Sequence, residues 1–300
     1  MPRLRTHRVR IQPARLRPAA RTRGCVEQPV KTNQLFQPGG SRGRIGILAL
    51  AVFFTLNFAT QAAEPLRALL ICGGCCHDYA AQKKILSEGI SARANVTWTI
   101  VHEAGDGKDR AFDLYTNANW GKGFDVIVHD ECSGAVTNVA FVEGIAKVHQ
   151  SGVPAVMLHC AIHSYRLSAT DEWRKTLGIS SMRHQPRRPF AVANVKAEHP
   201  IMKAFPAKWQ NEADELYECV KEWPDCVPLG KALTPGKEDD THTVIWVNTA
   251  GKARVFGTTL GHGNETVSQE VYLDLVTRGL LWACDKLDAD GKPKAGYGKK

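Results

Sequence analysis

Short apolar runs that end in reactive side chains limit most strongly what this chain can fold into. The clearest is the stretch Gly152 to Tyr165, G-V-P-A-V-M-L-H-C-A-I-H-S-Y. Pro154 to Leu158 is continuous in apolar residues, too short for a helix and opened by glycine and proline. That pattern predicts a strand buried on both faces, as in a parallel sheet. The strand ends in His159 and Cys160, with His163 close behind. Open α/β sheets bind their ligands at the carboxyl ends of strands, so a strand ending in imidazole and thiol marks a candidate reactive site.

The same grammar recurs along the chain. Leu66 to Ile71 predicts a first strand that runs into C-G-G-C-C-H-D-Y, followed by a helix from about Tyr79 to Ala92. Val96 to Val101 alternates more and predicts a strand near an edge. A loop rich in Gly, Asp and Asn, roughly 104–123, is long enough to cover a site. Phe124 to His129 predicts a third strand ending in H-D-E-C, and Thr137 caps a helix through His149. After the strand at 154–158 come further strands at 190–195, 227–233, 243–247 and 254–259, with N-T-A-G-K as a hairpin between the last two. An amphipathic helix over 267–287 closes the series. Strand and helix alternate through the first half, which predicts an α/β fold: a three-layer, doubly wound, mostly parallel sheet with an added antiparallel portion.

Residues 1–44 carry ten Arg, one Lys and one Glu with no apolar periodicity, and residues 45–59 are an uncharged apolar run. With the small residues before Glu64, they read as a basic leader and signal peptide over 1–63, cleaved near Ala62 or Ala63. The run is short for a membrane span of about 20 residues, and an uncleaved anchor is the alternative. Export to the periplasm or outside is the expectation, with membrane contact only through an uncleaved leader. Of 39 basic and 30 acidic residues, 28 and 29 lie after the leader, so the formal +9 of the whole chain becomes −1. No nucleic-acid footprint remains. Residues 64–287 suffice for one α/β domain, and the Gly- and Lys-rich tail 288–300 is expected to be flexible.

Eight cysteines follow the leader. Cys219 and Cys226 flank a Trp-Pro turn and make the most plausible disulfide in an exported chain. The C-G-G-C-C cluster at 72–76 lacks the second cysteine pair of a structural zinc site.

If the sheet is parallel, His77, His129 with Asp130 and Glu131, His159 with His163, and His262 all fall at strand ends on one edge. Imidazoles and carboxylates gathered there can share acid/base work near neutral pH or ligate a divalent metal. The metal candidates are His77, His129, Glu131, His159 and His262. Asp214 and Glu215 could add a carboxylate base.

The motifs G-G-x-x-H-D-Y (Gly73 to Tyr79), L-H-C-A, H-P-I (His199 to Ile201), D-E-L-Y (Asp214 to Tyr217), G-K-A-R-V-F-x-T-x-L-G-H (Gly251 to His262) and R-G-L-L-W-A (Arg278 to Ala283) occur in that order over 66–287. In them the chain resembles the ThuA-like (trehalose utilisation) family, which is similar in fold to class I glutamine amidotransferases and flavodoxin-like sheets. The resemblance implies a sugar-active protein handling oxidised (keto) glycosides or their products, alongside a partner dehydrogenase. It also implies His77, His159, Asp214, Glu215 and His262 as site residues.

Glutaminase chemistry is not expected. The superfamily's G-x-C-x-G elbow is replaced by L-H-C-A-I, and its later H-x-E by H-G-N-E. Glycines beside the nucleophile clear space for an oxyanion, which Leu158 and Ile162 do not. The leading expectation is an exported sugar-active enzyme using imidazole and carboxylate acid/base chemistry, with a divalent metal as the cofactor such a donor set would take. The alternatives are a non-catalytic carbohydrate-binding protein, with Trp120 as its first aromatic candidate, and a thiol hydrolase using Cys160 with His262 as base.

Overall fold

The computed structural model describes residues 63–299. The expected leader and its apolar run lie outside these residues. Their strands are β1 (Leu66–Gly74), β2 (Val96–Glu103), β3 (Val126–Cys132), β4 (Ala155–Leu158), β5 (Ile179–His184), β6 (Arg188–Asn194), β7 (Lys208–Asp214), β8 (Tyr217–Glu222), β9 (Val227–Leu233), β10 (Thr241–Ala250) and β11 (Ala253–Thr258). The helices are α1 (Tyr79–Ser91), α2 (Val139–Gln150), α3 (Glu172–Leu177), α4 (Asn264–Val267) and α5 (Glu270–Ala283). No helix among the described residues is long and apolar enough to cross a membrane.

A nine-stranded sheet runs in the order β2-β1-β3-β4-β11-β10-β9-β6-β7. The strands from β2 through β11 pair in parallel, and those from β11 through β7 pair antiparallel. The expected α/β architecture is therefore present, with β2 at an edge. Alternation along each buried strand feeds two cores. Leu70, Val156 and Leu158 pack with Leu86 of α1 and Leu275 and Val276 of α5. Leu69, Ile71 and Met157 face the other way, onto Val142 and Ile145 of α2 and Leu177 of α3. Successive side chains on a strand point to opposite faces, so helices cover both.

Strands β5 and β8 form a separate two-stranded antiparallel ribbon. The turn between β7 and β8 carries Glu215 to the carboxyl edge of the parallel strands.

Two expectations need correction, and the tail makes contacts that composition does not suggest. In the tail, Gly298 bridges Ala94, the Asn95 side chain donates to the carbonyl of Gly296 at 3.0 Å, and Tyr297 packs against the core. Backbone pairing and an aromatic anchor give these residues partners that composition does not reveal. Cys219 and Cys226 are free thiols, and the disulfide joins Cys75 to Cys76. The Trp-Pro turn is instead closed by its backbone, Cys226 N–H donating to Trp223 O at 2.9 Å, and both thiols pack against the apolar cluster. Trp120 is not a cleft aromatic. It is 5% exposed and packs edge-on against Tyr115, His129 and His149, so with Phe112 and Tyr115 it anchors the long loop in the core. Removing so large a buried ring costs about 3–5 kcal/mol. Trp120→Ala is therefore expected to lose that much unfolding free energy in urea; a loss under 1 kcal/mol would contradict its place in the core.

Candidate active site

The site is built from four loops that leave the sheet at one edge. Gly73 (φ 134°) and Gly74 (φ 83°) end β1 in conformations that favour glycine. A Cβ on Gly74 would stand 2.1 Å from the carbonyl oxygen of Cys132, so the chain turns there only because no side chain is present. The turn delivers His77 just before α1, whose N-cap is Asp78, accepting from Ala81 N at 3.1 Å.

The second loop follows β4 as a 3-10 turn, His159–Ile162. His159 has φ 40° although it is not glycine. Strained backbone of this kind persists where the surrounding structure enforces it, and clusters at functional sites. His159, not Cys160, thus occupies the sharp turn at the strand end where a nucleophile would sit.

The third loop, after β11, supplies His262, and the β7–β8 turn supplies Asp214 and Glu215. The Asp214 carboxylate is fully buried and accepts from Gly261 N at 2.7 Å, His262 N at 3.1 Å, Glu215 N at 2.8 Å and Asn211 Nδ2 at 3.0 Å. Asp214 therefore fixes the two loops and faces away from the cleft. Glu215 is the carboxylate that faces in. Its Oε2 lies 3.5 Å from His159 Nε2, and its Oε1 lies 3.2 Å from His262 Nδ1 and 3.5 Å from His184 Nδ1. Tyr217 Oη is 3.4 Å from His159 Nε2.

The three histidines His77, His159 and His262 come together as expected, with ring centroids 4.7–5.4 Å apart. His77 Nδ1 donates to His262 O at 3.1 Å, and His159 Nδ1 donates to Thr259 O at 2.6 Å. Burial would push Glu215 up, but the His159 and His262 imidazoles close to its oxygens hold it well below the usual carboxylate range. Burial alone would lower His159, yet the Glu215 bond and the Asp214 charge raise it. Burial and the neighbouring imidazoles push His77 down to about 3, so it is neutral in ordinary buffers.

The structure parts His129 and Glu131 from this group. Both are fully buried on the α2 face of β3, His129 Nδ1 lying 2.8 Å from Glu131 Oε1 and His129 Nε2 2.9 Å from His149 Nε2. Tyr115 Oη donates to Glu131 Oε1 at 2.7 Å. Three consecutive side chains of a strand cannot all point past its end, and alternation turns these two into the core. They are withdrawn as metal candidates. His163 is also structural, stacked on Tyr217 with centroids 3.9 Å apart and bonded to Ser181 Oγ at 3.0 Å.

Cys160 lies with its Sγ 2.9 Å from His77 Nε2, so the imidazole beside it is His77 and not the expected His262. Its hydrogen bond to Cys132 and its burial push the thiol well up, which keeps it protonated. Cys75, Cys76 and Cys132 also cluster, but the Cys75–Cys76 bond takes two of those sulfurs out of metal chemistry.

Two hollows with shared walls lie at the site. An inner one of about 150 Å³ is lined by Cys160, Glu215, Tyr217, Lys108 and Arg166, and an outer one of about 490 Å³ by Asp106, Arg187 and Asn264; His77 and His262 line both. The outer volume is in the range of small-ligand sites. A larger cavity, about 1030 Å³, lies at the opposite edge among Arg67, Asp125 and Cys284, and gathers none of the imidazoles. Chemistry, not size, decides between them. His184, Lys108, Arg166 and Arg187 were not singled out from sequence: His184 ends β5, the other three sit in loops, and none belongs to a periodic pattern or motif.

An α/β sheet of this topology with an imidazole–carboxylate cleft at its carboxyl edge defines the class. The chain belongs to the ThuA family, described as trehalose utilisation, whose model matches residues 67–283. Among solved structures it is similar to a ThuA-like protein from Parabacteroides merdae, with 18% identity and TM-score 0.56, covering 79% of this chain and 97% of that one. A ThuA-like protein from Bacteroides uniformis gives 17% identity and TM-score 0.56, covering 78% and 98%. At such identities the likeness speaks for the fold alone. No curated protein matches the sequence.

Two outcomes are expected. Asp214→Asn turns an amide N–H toward backbone donors and should cost about 1–3 kcal/mol, read by urea unfolding; unchanged stability would refute its role as the loop clasp. Iodoacetamide at pH 7 should leave Cys160 unmodified in peptide mass maps of the native chain, and rapid alkylation there would restore the thiol reading.

Proposed function

We propose that the chain is an exported enzyme acting on oxidised (keto) glycosides or their products, with Glu215, His159 and His262 as its acid/base groups. The observation that carries this reading is the single Glu215 carboxylate shared by two imidazoles at the base of an open cleft. A paired acid and base is what carbonyl sugars need. A keto group acidifies the neighbouring C–H, so a base can remove that proton while an acid stabilises the developing oxyanion or protonates the leaving oxygen. Hydrolysis, isomerisation and elimination all use these two operations. Lys108, Arg166 and Arg187 ring the cleft and can bind sugar hydroxyls or a polarised carbonyl.

The family's description, trehalose utilisation, supports a sugar substrate. Such a keto-sugar must be made by an oxidation, so a partner dehydrogenase belongs to the same reading. The basic and apolar leader supports export. The binding-protein alternative has less support, because Trp120 is in the core and offers no stacking platform.

Glu215→Gln keeps the shape and removes the base. Incubated with a panel of keto-disaccharides and followed by chromatography, it should turn over at least about 10²-fold more slowly than wild type. Wild-type rates in Glu215→Gln, with a keto-sugar that the native chain does consume, would sink the proposal.

A further inference from the structure

We propose that His77, His159 and His262, with Glu215 as the fourth protein group, form a binding site for a divalent transition-metal ion. The inference rests on the cleft of the sugar reading and recasts its imidazoles: with an ion bound, His159 and His262 would hold it rather than carry protons, and the evidence for this is geometric.

First, one ring nitrogen from each histidine lies within 4.8 Å of the other two. A tetrahedral ion with bonds of 2.0–2.1 Å needs its nitrogens about 3.3 Å apart, a contraction within reach of modest ring rotations. Second, two of the rings are fixed in the same tautomer by the backbone. Carbonyl oxygens only accept, so His262 O and Thr259 O place the hydrogens of His77 and His159 on Nδ1. Their Nε2 atoms are left as the ligating nitrogens; that of His77 meets the Cys160 thiol at 2.9 Å and that of His159 lies 3.5 Å from Glu215 Oε2, contacts that a bound ion would replace. Metal-ligating histidines are held in this way, the distal N–H given to a carbonyl or carboxylate.

Third, His262 Nδ1 is buried without a hydrogen-bond partner of good geometry, although it stands 3.2 Å from Glu215 Oε1. Its nitrogen and the carboxylate are near neighbours that an ion between them would satisfy together. Fourth, His159 reaches this position only through its left-handed backbone, φ 40°, at 1% exposure. A histidine that merely filled the core would not need that strain.

The donor set is imidazole and carboxylate, which suits zinc, cobalt, nickel, manganese or iron rather than calcium or a soft monovalent ion. Bound there, the ion would polarise a sugar carbonyl or a water molecule above the triad. The mouth of the cleft, by Arg187 and Asn264, leaves the outer side of the triad open to substrate.

The test uses the full chain, purified without chelator, and reads metal rather than turnover. Elemental mass spectrometry of the wild type should find about one divalent transition metal per chain. After stripping, added Co²⁺ should give visible d–d absorption and raise the melting temperature. His159→Gln and His262→Gln, with circular dichroism like the wild type, should bind Co²⁺ at least about tenfold more weakly, while His102→Gln, outside the cluster, binds as before. A wild-type chain that takes up neither zinc nor Co²⁺ overturns the proposal, as do His159→Gln and His262→Gln chains that keep full affinity. Metal bound with no sugar consumed would remove the sugar reading and leave the site. Sugar consumed by a metal-free chain would do the reverse.

Discussion

The arrangement of the site depends on one buried carboxylate. Asp214 ends β7, at the far edge of the antiparallel half, yet its oxygens accept backbone N–H groups from the loop that follows β11 in the middle of the sheet. Gly261 makes this possible: it has φ 117°, and a Cβ there would meet the Tyr272 hydroxyl at 2.6 Å. A charged acceptor satisfied by four donors inside the protein is a stiff joint, because breaking it leaves a buried ion unpaired. Through that joint the turn carrying Glu215 and the loop carrying His262 are set in register. Without it, the acid and the imidazoles would belong to independent loops.

The parallel half contributes the rest. Because β1, β3, β4 and β11 run in the same sense, their carboxyl ends share an edge, and residues distant in sequence meet there. His77 and His262 are separated by most of the domain yet are linked by a 3.1 Å hydrogen bond. The same sheet divides polar residues between edge and interior. His129 and Glu131 are as polar as His77, yet they form a closed chain with Tyr115 and His149 between β3 and α2. That chain resembles a reactive constellation in composition while lying wholly within the core, with only Glu131 Oε2 left without a partner.

Two of the chain's rule-breaking positions lie in the candidate site. His159 takes a backbone conformation that suits glycine, and Glu215 remains ionised although burial opposes it. Local preference gives way where function needs a fixed geometry. Cys160, the nucleophile of the thiol-hydrolase alternative, is the reverse case. It is a protonated, nearly buried thiol beside His77, and the elbow apex has passed to its neighbour.

Sequence by itself determined the α/β alternation, the buried strand before His159, the edge position of β2, the β10–β11 hairpin and the family. Each of these rests on short-range periodicity or on motifs that survive in one dimension. It also named all of His77, His159, Glu215 and His262. Tertiary structure alone decided which reactive residues share a space. Alternation about β3 sent His129 and Glu131 inward; the Asp214 clasp turned one member of an acidic pair into a joint and left the other in the cleft. It likewise docked the tail through Tyr297 and buried Trp120. These are outcomes of side-chain direction and long-range pairing, which depend on where distant segments lie and so leave no local trace in the order of the residues.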